Sequence, residues 1–276
     1  MSSPTITQPT LPPPRLARYN RLLLAVSVLI IAGFFLFPPV TILDKTHLIG
    51  YAICHQIPDR TIHIDGTPLP LCARCTGTYL GALMGLVGLT LLKRYRSTEF
   101  PPTLVLGVLV SFIAVMGFDG VNSYLTLLRA PHLYEPQNWL RLTTGTFNGL
   151  AMSVIIFPVI NASLWHTSLL RPERVLNNFK ELALFLIGGG LIILLVLWQQ
   201  PFLLYPLTIL STVGVLLMLG LVNMGLVLIV TRREGYARTW SDVILPAMMG
   251  LAVSFLLIGG MDWLRASVTR TLDLPF

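Results

Sequence analysis

Charge is what this chain has least of. Asp, Glu, Lys and Arg supply 11% of its 276 residues, where a soluble domain carries about 25%. So few ionic groups cannot cover a water-facing surface, which excludes a soluble globular protein. The chain also lacks the short alternating segments of a membrane β-barrel. It has no long basic face to neutralise phosphates, so its net charge of +7 implies no nucleic-acid partner. No internal repeat of roughly 20–50 residues and no second domain is visible. No small-residue cleavage site follows the first apolar run, where Pro38, Pro39 and Val40 come next. That run is therefore expected to remain as a helix rather than leave as a signal peptide.

What is present is apolar sequence: 54% of the residues are hydrophobic. Runs near the roughly 17–25 residues that cross a bilayer recur at 22–37, 76–92, 103–122, 142–160, 182–198, 207–230 and 243–262. Proline-containing breaks at Pro101-Pro102, Pro131, Pro136, Pro172 and Pro201 separate several of them. The expected fold is an all-α polytopic transmembrane helical bundle of about seven helices, with the lipid bilayer as its surroundings. Residues 1–21, polar and proline-rich, read as a disordered tail. Residues 22–276 read as one membrane domain, and 38–75 as an insertion between the first two helices.

The basic residues fix an expected orientation. Tight clusters precede the first run and follow the second, fourth and sixth, twelve residues in all, against seven spread along the other side. The side richer in Lys and Arg faces the cytoplasm. The N-terminus is then cytoplasmic, the C-terminus and the insertion extracytoplasmic, in a cell (inner) membrane. The sequon at Asn161 falls on the cytoplasmic side and reads as chance.

Two of the three cysteines stand in Pro70-Leu-Cys-Ala-Arg-Cys-Thr-Gly77, at the mouth of the second helix. The third, Cys54, is followed by His55. The segment before it has helical spacing, with His47, Tyr51, Cys54 and His55 on one face. Two short extended runs around Asp65-Gly66 suggest a hairpin. Three readings remain open. Cys54, His55, Cys72 and Cys75 could hold a transition metal such as zinc, because two intervening residues let both thiolates face one tetrahedral ion; His47 is an alternative to His55. Cys72 and Cys75 could instead be a redox pair with Cys54 as resolving thiol, since a helix N-terminus and Arg74 lower a thiol pKa. A plain disulfide is the third reading. Haem attachment is excluded, because residue 76 is Thr. Gly77, Gly81 and Gly85 share one helix face and allow close packing in lipid.

Further polar residues fall at the same end: Asp119 and Asn122 late in the third run, Arg141 and Asn148 early in the fourth, Asp262 ending the seventh. An ionisable residue in a membrane segment is usually paired or functional. Asp119 and Arg141 are expected to pair, and the group suggests one outward-facing pocket. A small-solute or ion transporter using that pocket is an alternative function, although no inverted repeat or broken helix supports it.

The motifs Cys54-His-Gln-Ile-Pro-Asp-Arg60, Pro70-Leu-Cys-Ala-Arg-Cys-Thr-Gly77, Phe118-Asp-Gly120 and Arg141-Leu-Thr-Thr-Gly145 resemble an uncharacterised family of prokaryotic integral membrane proteins, a domain of unknown function. The resemblance covers about residues 53–149. It singles out Cys54, His55, Gln56, Pro58, Arg60, Cys72, Arg74, Cys75, Gly77, Asp119 and Arg141, and favours His55 over His47. It implies no activity.

Overall fold

Among the described residues, seven helices of nineteen residues or more carry the chain back and forth. The computed structural model describes residues 14–272 and the side chains of 19–269. The long helices are α1 (Pro14–Leu36), α3 (Ala73–Leu91), α4 (Thr103–Leu127), α5 (Asn138–Leu164), α6 (Phe179–Trp198), α7 (Leu204–Val230) and α8 (Trp240–Leu272). A short helix, α2 (Ile42–Ile53), lies between α1 and α3. The fold is an all-α polytopic transmembrane bundle. Residues 1–13 of the expected tail lie outside the described residues. Residues 14–21 extend α1, with Pro14 in the first-turn position where its missing N–H costs nothing.

Among the described residues, six of these helices are long and apolar enough to cross a membrane: all but α3. Four glycines and three threonines dilute the apolar content of α3. They do so because α3 packs against α5, α6, α7 and offers little surface to lipid. At about 1.5 Å per residue, its nineteen residues span about 28 Å, close to the thickness of the hydrocarbon layer.

Two glycine rows join α3 to α5. A methyl group at Gly77 or Gly81 would overlap the carbonyl oxygens of Leu142 or Thr146. One at Gly145 or Gly149 would overlap those of Arg74 or Thr78. The contacts advance together along both chains, so α3 and α5 run parallel, with α4 returning between them in sequence. Their N-terminal ends lie side by side.

The end carrying those N-termini also carries the insertion. Thr41 caps α2, its hydroxyl accepting from the Asp44 N–H while the Asp44 carboxylate accepts from the Thr41 N–H. Lys45 ties α2 to the end of α1 by donating to the carbonyls of Phe34 and Phe37. Strands β1 (Thr61–Ile64) and β2 (Thr67–Cys72) pair antiparallel around Asp65-Gly66. Both turn residues have positive φ, 51° and 76°, as a tight hairpin turn requires. At the opposite end, β3 (Ser97–Glu99) pairs with β4 (Arg171–Arg174). There Asn161 is buried and donates to the carbonyls of Arg94 and Ser97, a packing role for the sequon residue.

Candidate functional site

The single helical face expected for His47, Tyr51, Cys54 and His55 does not form. The α2 helix ends at Ile53, and Cys54 is extended, at φ −131° and ψ 146°. Gln56 follows with φ 49°, and its amide donates to the carbonyls of His47 and Pro70 at 3.0 and 2.8 Å. This turn swings the chain over the end of β2 and brings Cys54 against the first turn of α3. His47 faces a cavity of about 190 Å³, lined also by His63 and Pro68.

Donor atoms of Cys54, His55 and Cys72 lie within 4.8 Å of one another. The Cys72 N–H donates to the Cys54 sulfur at 3.3 Å, and the Cys72 and Cys75 thiols also contact that sulfur. Cys54 and Cys72 are buried, Cys75 half-buried, and His55 exposed. None of the three cysteines is in a disulfide. Hydrogen bonds from the Cys72 and Cys75 thiols pull the Cys54 pKa far below the ordinary thiol range, which outweighs the desolvation that raises it. Cys72, donating its proton to Cys54, is pushed up to about 11. The two shifts run in opposite directions, favouring the charge on Cys54 over Cys72.

A residue outside the expected set closes this site. Arg265 of α8 donates to the carbonyls of Tyr51, Cys54 and His55 at 2.7, 2.7 and 3.2 Å. Its guanidinium stacks 4.0 Å from the Tyr51 ring centre. In the sequence Arg265 is one more basic residue near the end of the last helix, with no motif around it to mark this role.

The expected pair of Asp119 with Arg141 is not made. Arg74 is the partner of Asp119: its Nε donates to Oδ2 at 3.2 Å, and its Nη2 pairs with the same oxygen. Tyr134 donates to Oδ1 at 2.8 Å, and Thr144 reaches Oδ2 at 3.5 Å. Arg141 bonds instead to Asn138 Oδ1 on its own helix, at 2.9 Å. The N-terminus of α3 points Arg74 toward α4, and sequence spacing within α4 and α5 carries no information about that third helix.

The single pocket is not formed by its five expected residues either. Asn122 clasps the following loop, donating to the Tyr134 carbonyl and accepting from the Leu133 N–H. Asn148 turns along α5 to the Met152 sulfur at 3.3 Å. Asp262 sits on α8, which packs on α1, α2 and α7, whereas α4 packs on α5.

Comparison with known proteins matches part of this chain to a family. An uncharacterised protein of Methanocaldococcus jannaschii is 31% identical over 107 residues, 39% of this chain and 63% of its own length. One of Methanothermobacter thermautotrophicus is 34% identical over 104 residues, 37% of this chain and 83% of its own. The chain thus spans less than two thirds of the first relative and most of the second. No solved structure matches. The family described as "Predicted membrane protein (DUF2085)" matches residues 54–155, the stretch that runs from Cys54 through the cysteine pair and the Arg74–Asp119 contact into α5. The chain belongs to this family of integral membrane proteins.

Proposed function

We propose that the cysteine end of the bundle binds one transition metal ion through Cys54, His55, Cys72 and Cys75, in a structural or a metal-handling role. Zinc suits this donor set, three thiolates and one imidazole. We also propose that this end faces the extracytoplasmic side of a cell (inner) membrane. The orientation is supported by the basic residues of the opposite end, Arg94, Arg96, Arg171, Arg174, Arg232, Arg233 and Arg238.

The observation that carries the metal reading is the convergence of three donor atoms within 4.8 Å. Ligands about 2.0–2.3 Å from a tetrahedral zinc stand roughly 3.3–3.8 Å apart, so small side-chain rotations suffice. The N–H donated to the Cys54 sulfur is the kind of contact that steadies a ligating thiolate. A bound ion would tie α2, β2 and α3 together at one point.

Metal analysis of the purified protein in detergent tests this. About one zinc per chain is expected, falling sharply in His55→Ala and Cys72→Ser. The thiols should resist alkylation until a chelator is added. Protein that neither retains nor takes up zinc, with its thiols freely alkylated, overturns the reading.

One observation favours thiol–disulfide exchange as a second reading: the Cys54 sulfur lies within 4.8 Å of the Cys72 sulfur and accepts a hydrogen bond from the Cys72 N–H. The attacking sulfur would then be Cys54 rather than Cys72 or Cys75. Under this reading the protein holds no metal, and in Cys72→Ser combined with Cys75→Ser the Cys54 thiolate attacks a substrate disulfide, releases one of its sulfurs as a thiolate and stays trapped as a mixed disulfide with the other.

A further inference from the structure

Three arginines gather where α3, α4 and α5 meet at the cysteine end. Arg60, beside the hairpin, donates through Nη2 to the Ser123 carbonyl at 3.0 Å. Arg74 donates to the hydroxyl of the same serine at 3.0 Å, besides its pairing with Asp119. Arg141 stands within electrostatic range of both. Against these three cations the cluster holds one carboxylate, Asp119, whose Oδ2 is paired with Arg74 and whose Oδ1 accepts from Tyr134.

Arg141 is only 6% exposed, and among the described residues its Nε has no hydrogen-bond partner. A buried guanidinium is costly, and here two like charges stand nearby against the single carboxylate of Asp119. The parallel packing of α3 and α5 adds to the imbalance. Both helices present their N-terminal, positive dipole ends to this place, held together by the glycine rows. A buried unpartnered donor, three arginines to one carboxylate and two aligned helix starts all call for the same thing, a bound anion.

We propose that Arg60 and Arg141 form a binding site for a phosphate group at the cysteine end, with Arg74 held in place by Asp119. Guanidinium forks match the oxygens of a phosphate in pairs. Arg141 lies in the first turn of α5, at the level where lipid headgroups meet the protein. The phosphate could therefore come from free inorganic phosphate or from the headgroup of an anionic phospholipid. The site uses none of the cysteine donors and requires no metal there.

The test uses the full chain, purified in a neutral detergent at fixed ionic strength. One arm titrates inorganic phosphate and follows binding by calorimetry. The other follows retention of phosphatidylglycerol against phosphatidylcholine by native mass spectrometry. Binding in the first arm assigns a free anion, and selective retention in the second assigns a lipid headgroup. In either arm Arg141→Gln should weaken binding about tenfold or more, the effect of losing a charge-assisted hydrogen bond. Arg60→Gln should act likewise; this half-buried side chain makes one hydrogen bond, so this variant keeps the test open if Arg141→Gln does not fold. Wild-type protein that binds neither probe, or binding that both variants leave unchanged, overturns the proposal.

Discussion

Asp119 shows how a single carboxylate sets the local order at the cysteine end. Its two oxygens take donors from α3, from the loop after α4 and from α5. Removing one partner of such a buried pair costs about 3–5 kcal/mol. Asp119→Asn should therefore destabilise the protein strongly. In a double-mutant cycle read by thermal unfolding in detergent, it should couple to Arg74→Ala by well over about 0.5 kcal/mol. Coupling to Arg141→Ala should be much weaker, and a stronger coupling there would refute the pairing. The sequence shows that Asp119, Arg74 and Arg141 share one end, because helix direction alternates and depth can be counted. It does not show which arginine turns toward the carboxylate, because that depends on the rotation of α3 about its axis. The cysteine group is more legible. Cys72 and Cys75 are close in sequence, and Cys54 with His55 sits one short insertion away. The turn at Gln56 that brings the two halves together needs an unusual backbone conformation, which residue type alone does not reveal.

At the scale of elements, the α3–α5 seam decides how rigidly the cysteine mouth is held. The row Gly77, Gly81 and Gly85 is readable as a packing face from its four-residue spacing. Its counterpart, Gly145 and Gly149, has the same spacing, and the partner only becomes clear once the two helices are seen to run parallel. Gly77, Gly81, Gly145 and Gly149 meet backbone carbonyls, which cannot rotate away as the Ser153 side chain facing Gly85 can. Gly149→Ala should therefore cost about 1–3 kcal/mol or more and loosen the site. Gly117→Ala on α4, where nothing lies within 4 Å, should be neutral or slightly stabilising. Thermal shifts of the two variants in detergent make the comparison. Equal shifts would mean that the seam is not close-packed. The same scale explains why α2 stops where it does: Gln56 and Pro58 follow directly, so the helical spacing that included His55 ran past the point where the backbone can stay helical.

Over the whole molecule, side-chain contacts fix the direction of each long helix. Arg233 of the α7 end meets Asn20 of α1, and Arg94 after α3 meets Glu181 of α6. Arg265 near the end of α8 meets the carbonyls after α2. The long helices therefore alternate in direction, and seven of them put the two ends of the described chain at opposite ends of the bundle. The least apolar pass is α3, yet Arg74 at its start contacts the end of α4, and the segment after it meets the start of α6, so it reaches both faces. On the proposed orientation, a topology reporter fused after Arg96 should report the cytoplasm. One placed after Arg129, or at the C-terminus, should report the outside. If the fusion after Arg96 instead reported the outside, α3 would not cross. The cysteine pair and the basic cluster would then share a face, and α4 to α8 would have to invert or lose a pass. A helix that packs along the length of α5 at the glycine row has no room to lie flat on the membrane, so this outcome is not expected.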